Sequence, residues 1–238
     1  MSGKNDHKNK DLIDRIDDAP MKKFFDLTYD LIMANVFFIL LNLHLPLFLL
    51  FFEPGNMVLY YIILGILCLN LLPSYVAMEY AMLRRSDIEK SHFKKFFEGY
   101  QKKFKASFLT GAAWIIFMLI ALIDSMFFRT KNNQILSMTF LTLYFVGIIL
   151  FVASSIVIVH FDFKSRDVIM FTLGFSLKLI PGSVIAILVG VLSIYFSKFI
   201  VFPLLVGFSL AAFIQETISK KVVTDIEKII LLKEEIGK

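Results

Sequence analysis

Apolar positions in this chain gather into long runs, and short polar gaps separate them. A helix needs about 20 apolar residues to cross a hydrocarbon core about 30 Å thick. The first run is 31–52. The second is 57–83, where Glu79 is the only charge. Glu53-Pro54-Gly55-Asn56 joins them as a turn rich in helix breakers. The third run, 106–128, is interrupted only by Asp124, and the fourth, 135–161, has no charge. From Val168 to Gln215 the only charges are Lys178 and Lys198. A span starting at Val168 would place Lys178 in mid-membrane, at a cost of about 2.5–3.5 kcal/mol. Starting at Leu179 avoids this and puts Pro181 in a first helical turn, where proline is tolerated. The last two spans are therefore expected at 179–197 and 199–217, and 168–178 as a short interfacial helix.

The expected fold is all-α: a polytopic membrane bundle of six transmembrane helices in three hairpins, with interfacial amphipathic helices. Residues 1–30 form a polar lead, mobile over its first 20 residues, 31–217 the membrane domain, and 218–238 an amphipathic tail. Orientation follows the basic residues. Alternate gaps hold 22 of the 25 Lys and Arg, against three in the others. Both termini and the second and fourth connections are thus expected in the cytoplasm. The lead has no early apolar core with a small-residue cleavage site, so the first run is expected to remain as an anchor.

The second connection carries Phe93, Phe96, Phe97, Tyr100 and Phe104 at helical spacing, with Lys102, Lys103 and other lysines on the opposite face. The pattern predicts a helix lying in the headgroup layer, aromatic side down, its lysines drawn to anionic lipid. It serves as an elbow for the third span, as a docking site for a partner, or as both. Gly99-Tyr100 through Lys103-Phe104 resembles Gly174-Phe175 through Lys178-Leu179, and Phe24-Phe25-Asp26-Leu27 precedes the first span similarly. Three units, each an interfacial helix plus a hairpin, are the repeat this suggests. In the tail, Val222, Val223, Ile226, Ile229 and Ile230 share one helical face.

Ionisable and amide side chains within spans are the candidates for function. Glu79 stands five residues before Arg84-Arg85, and Asp124 stands near Arg129 and Lys131. Local ion pairs are the plain reading of both. Glu216 closes the sixth span toward the cytosol, and His160 is an edge residue beside Asp162. Asn42, His44 and Asn70, with Asn35, lie deeper. Interhelical hydrogen bonds worth roughly 0.6–2 kcal/mol each are one reading; a small polar passage through Asn42, His44 and Asn70, making the chain a small channel or secondary transporter, is the other. Gly182 and Gly190 ease helix contact.

Composition narrows the classes further. The chain is 58% hydrophobic with 27 Phe, above the roughly 45–50% apolar content of soluble domains. The net charge of +5 is broken up by spans, so nucleic acid is not an expected partner; the lipid bilayer is. Cys68 is the sole cysteine, which precludes an intrachain disulfide. No P-loop, HExxH or GxSxG pattern occurs. Neither an enzyme nor a cofactor or metal site is expected.

Several segments resemble the YesL family, domain of unknown function 624. They are Leu72-Pro73-Ser74 leading to Ala81-Met82-Leu83-Arg84-Arg85, then Phe96-Phe97-Glu98-Gly99-Tyr100-Gln101-Lys102-Lys103-Phe104-Lys105-Ala106. Leu177-Lys178-Leu179-Ile180-Pro181 and Phe202-Pro203-Leu204-Leu205-Val206-Gly207-Phe208-Ser209-Leu210 extend the likeness over roughly 20–220. The resemblance implies a Gram-positive bacterial plasma-membrane protein. It also implies an accessory or regulatory role beside sugar ABC transporter or sensor subunits. It carries no reaction and no catalytic residue.

Overall fold

Prolines decide how the first two apolar runs fold. A proline in a helix supplies no N–H and crowds the carbonyl four residues earlier. Pro46 acts on Asn42, and Pro73 acts on Leu69. The computed structural model, which describes residues 20–53, 55–85, 91–199 and 201–236, breaks both runs at those carbonyls. Helix α1 spans Pro20–Leu41 and α2 spans His44–Phe51; α3 spans Met57–Cys68 and α4 spans Leu71–Leu83. At the first break the Leu45 amide turns back to the Asn42 carbonyl at 3.0 Å. The first span is thus not one helix from Leu31 but two, and its helix starts earlier, at Pro20.

Helix α5 runs His92–Thr130 and α6 runs Gln134–His160. The expected interfacial helix at 93–105 and the third span are one continuous element. No breaker separates them, and Ser91 opens the helix by accepting from the Lys94 amide at 3.4 Å. With 39 residues, α5 is about 58 Å long at 1.5 Å per residue. The turn into α6 places Asn132 at φ 55°, a conformation asparagine tolerates. Asn133 then caps α6 by accepting from the Leu136 amide at 3.2 Å.

Helix α7 spans Ser165–Gly174, α8 spans Ser176–Phe196 and α9 spans Phe202–Ile236. The interfacial helix expected at 168–178 ends earlier, so Lys178 and Pro181 both lie inside α8. No boundary separates a sixth span from a tail, because α9 is a single helix of 35 residues. The repeat is not realised as three equal units. Gly99 to Phe104 sits within α5, whereas Gly174 to Leu179 crosses the α7–α8 break. Residues 1–19, expected as a mobile lead, lie outside the described residues.

Two antiparallel hairpins, α5–α6 and α8–α9, enclose α4. Gly147 lets α6 close on Met118 of α5, and Gly207 of α9 packs directly on Ser193 of α8. From Leu72 to Met82 every α4 residue except Tyr75 is buried, because neighbouring helices surround it. One core joins Leu72 and Val76 to α6, α7, α8 and the Val222-Val223-Ile226 face of α9. A second joins Met78 and Met82 to Leu31, Phe38, Phe96 and Val206. The basic gaps meet at one end of the bundle, tied by Lys103–Asp162 at 2.6 Å, Lys178–Asp225 at 2.6 Å and His92–Asp30 at 3.1 Å.

Among the described residues, five helical stretches are long and apolar enough to cross a membrane: Phe24–Leu41, Met57–Leu83 (α3 and α4 with the break between them), His92–Thr130, Gln134–His160 and Ser176–Phe196. Their outward faces are apolar too, as at Leu40, Ile116, Ile120, Met138, Leu188 and Val191. An apolar surface of this extent requires lipid as its solvent.

Candidate functional site

The two proline breaks face each other, and their amides are knitted together. Asn70 Nδ2 donates to the Leu41 carbonyl at 3.0 Å and reaches Asn42 Oδ1 at 3.4 Å. Asn42 Nδ2 donates to Ser74 Oγ at 2.7 Å and to the Phe38 carbonyl at 2.8 Å. Tyr100 crosses from α5 to donate to Asn70 Oδ1 at 2.7 Å. His44 Nε2 lies 3.0 Å from the Leu67 carbonyl. Backbone freed within an apolar bundle needs such partners. These are interhelical hydrogen bonds of the kind that glue helices. Asn35 does the same work deeper in the sequence, donating to the Leu204 carbonyl at 2.6 Å and accepting from the Ser209 amide at 3.2 Å.

The aromatic face of α5 meets protein rather than lying on headgroups. Phe96 is fully buried against Phe37, Phe97 also packs on Phe37, and Gly99 brings α5 against the Tyr80 ring. Only Phe93 and Phe104, at the edges of this face, are exposed. Lys102 pairs with Glu98 at 2.7 Å. Lys103 is almost buried and donates to the Phe161 carbonyl at 3.1 Å and to Asp162 at 2.6 Å. Those contacts hold the Asp162 carboxyl below its ordinary pKa, the Lys103 hydrogen bond first and its charge second.

The less expected constellation lies where α4, α6 and α9 meet. Glu79 is 2% exposed and does not pair with Arg84 or Arg85. Arg84 turns instead to Glu98 at 3.4 Å, because Glu79 points into the bundle and the arginine away from it. Around Glu79 stand Ser155 of α6 and Glu216 of α9. Ser155 Oγ stands beside the Glu79 carboxyl but donates to the Val152 carbonyl at 2.8 Å, and among the described residues neither Glu79 oxygen has a hydrogen-bond partner. His160 pairs with Glu216 at 2.9 Å, not with neighbouring Asp162, and Glu216 is correspondingly sequestered rather than open to solvent. One turn before Glu79, Tyr75 donates to Gln215 Oε1 at 2.9 Å, and Gln215 Nε2 donates to the Val152 carbonyl at 2.9 Å.

Two carboxyls, an imidazole, a phenol and an amide therefore share one buried region. Such a group can take up or release a proton, or respond to a shift of α9 against α4. Among the described residues no set of three His, Cys, Asp or Glu side chains is placed to hold a metal ion. Asp124 lies apart from this region, half-buried near the far end of α5, and makes no ion pair with Arg129 or Lys131 among the described residues. Sequence reasoning flagged Glu79 but missed its setting. His160 and Glu216 are 56 positions apart, and Tyr75 and Gln215 are 140 apart; no local pattern connects them.

Beside this region a cavity of about 200 Å³ is lined by apolar side chains including Phe38, Phe151, Ala186 and Phe208, with Tyr75 at its wall. None of Asn42, His44 or Asn70 lines it.

Among the described residues, five membrane-competent helical stretches around a buried polar seam give the chain the architecture of an all-α membrane protein. Residues 31–125 match the family model described as Protein of unknown function, DUF624, in agreement with the resemblance carried by the Leu72-Pro73-Ser74 and Phe96–Ala106 segments. The match spans both proline breaks, Glu79 and most of α5. No curated protein and no solved structure matches the chain.

Proposed function

We propose that this is a six-span, non-enzymatic component of a bacterial plasma membrane, with both termini cytoplasmic. It serves as an accessory or regulatory partner of a carbohydrate ABC uptake system. The observation that carries the partner role is helix length. At 39 and 35 residues, α5 and α9 are about 58 and 52 Å long, against a hydrocarbon core of about 30 Å. The surplus builds a packed helical layer at the basic end, and by the charge rule that end faces the cytoplasm. On the outer part of α9, Leu231 and Leu232 are exposed, an apolar pair beyond the membrane that a partner helix would cover. The buried Glu79–Glu216–His160 group lies at the root of the same layer, so docking on α9 has a polar joint through which to act. The link to sugar uptake rests on the family resemblance.

Purification of the tagged full chain in mild detergent tests this. An importer or sensor subunit should co-purify with the wild type and be lost on Leu231→Asp with Leu232→Asp. Retention of the same subunit by that variant would remove α9 as the docking element; no such subunit with the wild type would sink the reading. Cysteine labelling on a Cys68→Ser background tests the orientation. Gly55→Cys and Lys131→Cys should react from outside intact cells, and Gln101→Cys and Lys220→Cys only after permeabilisation.

A further inference from the structure

Between α5 and the α6–α7 connection lies a cavity of about 490 Å³ whose lining divides into two chemistries. Lys102, Lys103, Lys105 and Lys164 form one part; Ala106, Leu109, Phe161 and Phe163 form the other. Among the described residues, Asp162 is the one carboxylate in the lining. It is engaged by Lys103, whose side chain is 10% exposed and is fixed by the Phe161 carbonyl as well. Lys102 is engaged by Glu98. Lys105 and Lys164 have no ion-pair partner among the described residues, so the cavity keeps an unbalanced positive charge. Asp167 stands in the first turn of α7 but does not line the cavity.

Its depth is as informative as its charge. Along α5 the lysines stop at Lys105. One turn further, Leu109 is exposed, followed on the same side by Ile116 and Ile120. The cavity therefore straddles the level at which α5 passes from charged to lipid-facing residues. The Phe161 and Phe163 rings, stacked 5.1 Å apart, add an apolar wall at that level. Cations above and aromatic and aliphatic surface below match the headgroup–acyl boundary of an anionic phospholipid.

We propose that this cavity binds a phosphate group, held by Lys105 and Lys164 beside the preset Lys103. Its apolar wall takes the glycerol and first methylenes when the phosphate belongs to a lipid. The site is independent of the partner assignment above, because it uses neither the outer face of α9 nor the buried carboxyls.

The test is binding to the purified full chain by native mass spectrometry and by thermal stabilisation. The probes are short-chain phosphatidylglycerol, short-chain phosphatidylcholine and inorganic phosphate. Phosphatidylglycerol should bind saturably, and Lys105→Gln with Lys164→Gln should weaken it about tenfold or more, at roughly one surface charge's worth of attraction per lysine. Lys220→Gln with Lys221→Gln removes the same charge from α9 and should leave affinity within about twofold. Competition by millimolar inorganic phosphate identifies a soluble phosphate as the ligand; its failure to compete identifies a lipid headgroup. Equal weakening by the two double variants reduces the effect to general charge and overturns the site. So does equal affinity for phosphatidylcholine and phosphatidylglycerol, or no binding of either phosphatidylglycerol or phosphate.

Discussion

The Tyr100 hydroxyl reaches across from α5 to Asn70 Oδ1 at 2.7 Å, at the break that Pro73 imposes between α3 and α4. This bond ties a continuous helix to a broken one. Asn70 has its Nδ2 committed as donor to the Leu41 carbonyl and Asn42 Oδ1, so Tyr100 fixes the orientation of an amide on which the first break also depends. Tyr100→Phe should cost about 0.6 kcal/mol, the average for single hydrogen bonds between membrane helices, and no more than about 1.7 kcal/mol. In a double-mutant cycle with Asn70→Ala, thermal unfolding in mild detergent should show a coupling of at least ~0.5 kcal/mol. Additive effects would mean that the two side chains do not act together.

A second close approach locks α4 against α5. A methyl group at Gly99 would lie 2.7 Å from Tyr80 Cβ. That atom is fixed to the backbone and cannot swing away. Gly99→Ala should therefore lower stability by about 1–3 kcal/mol, as overpacking does in a filled interior, despite alanine's better helix propensity. Gly55 faces open space, and Gly55→Ala should be neutral in the same assay. Stabilisation by Gly99→Ala would show that the two helices stand further apart.

The sequence already carried much of this architecture, and its failures have specific causes. Apolar runs and basic gaps marked the membrane helices and the end where their charges gather. The breaks were implicit in Pro46 and Pro73, yet run length hid them, since a break leaves hydropathy unchanged. The Phe96–Tyr100 face was recognised as apolar, but periodicity cannot say whether lipid or protein covers it. Phe37, Tyr80 and Asn70 do. Lys103 looked like one more headgroup lysine. Its burial follows from the Phe161 carbonyl and Asp162, which arrive from a loop 58 and 59 residues away. The Glu79 region is the same problem at its most severe, with its members drawn from three distant helices.

Glu79 offers a direct trade between stability and function. A buried polar group without a hydrogen bond costs about 1–3 kcal/mol, and both Glu79 oxygens are in that condition. Glu79→Met keeps comparable volume and removes the orphaned atoms, so thermal stability should rise. Val76→Ala, one turn earlier at a fully buried position of the same helix, should fall by about 1–3 kcal/mol as a cavity control. A fall with Glu79→Met comparable to that control would show that the carboxyl has a stabilising partner. A rise accompanied by lost partner regulation would mark Glu79 as retained for function.

The Lys103–Asp162 pair gives a pH signature of defined sign. Asp162 ionises below its ordinary pKa of 3.8 because Lys103 favours the charged form. Its contribution is therefore fully present above about pH 4–5 and fades as pH falls below 3.8 through the lowered folded value. The Asp162 side chain is 96% exposed, so water and salt screen the pair and its worth should be about 0.5 kcal/mol or less. The stability difference between wild type and Asp162→Asn should be flat from pH 8 to pH 5 and shrink as pH falls below 3.8. Lys103→Met should cost more than Asp162→Asn, because it also strips the Phe161 carbonyl of its donor. A difference that grows on acidification would mean that Asp162 is raised, not lowered, in the folded protein.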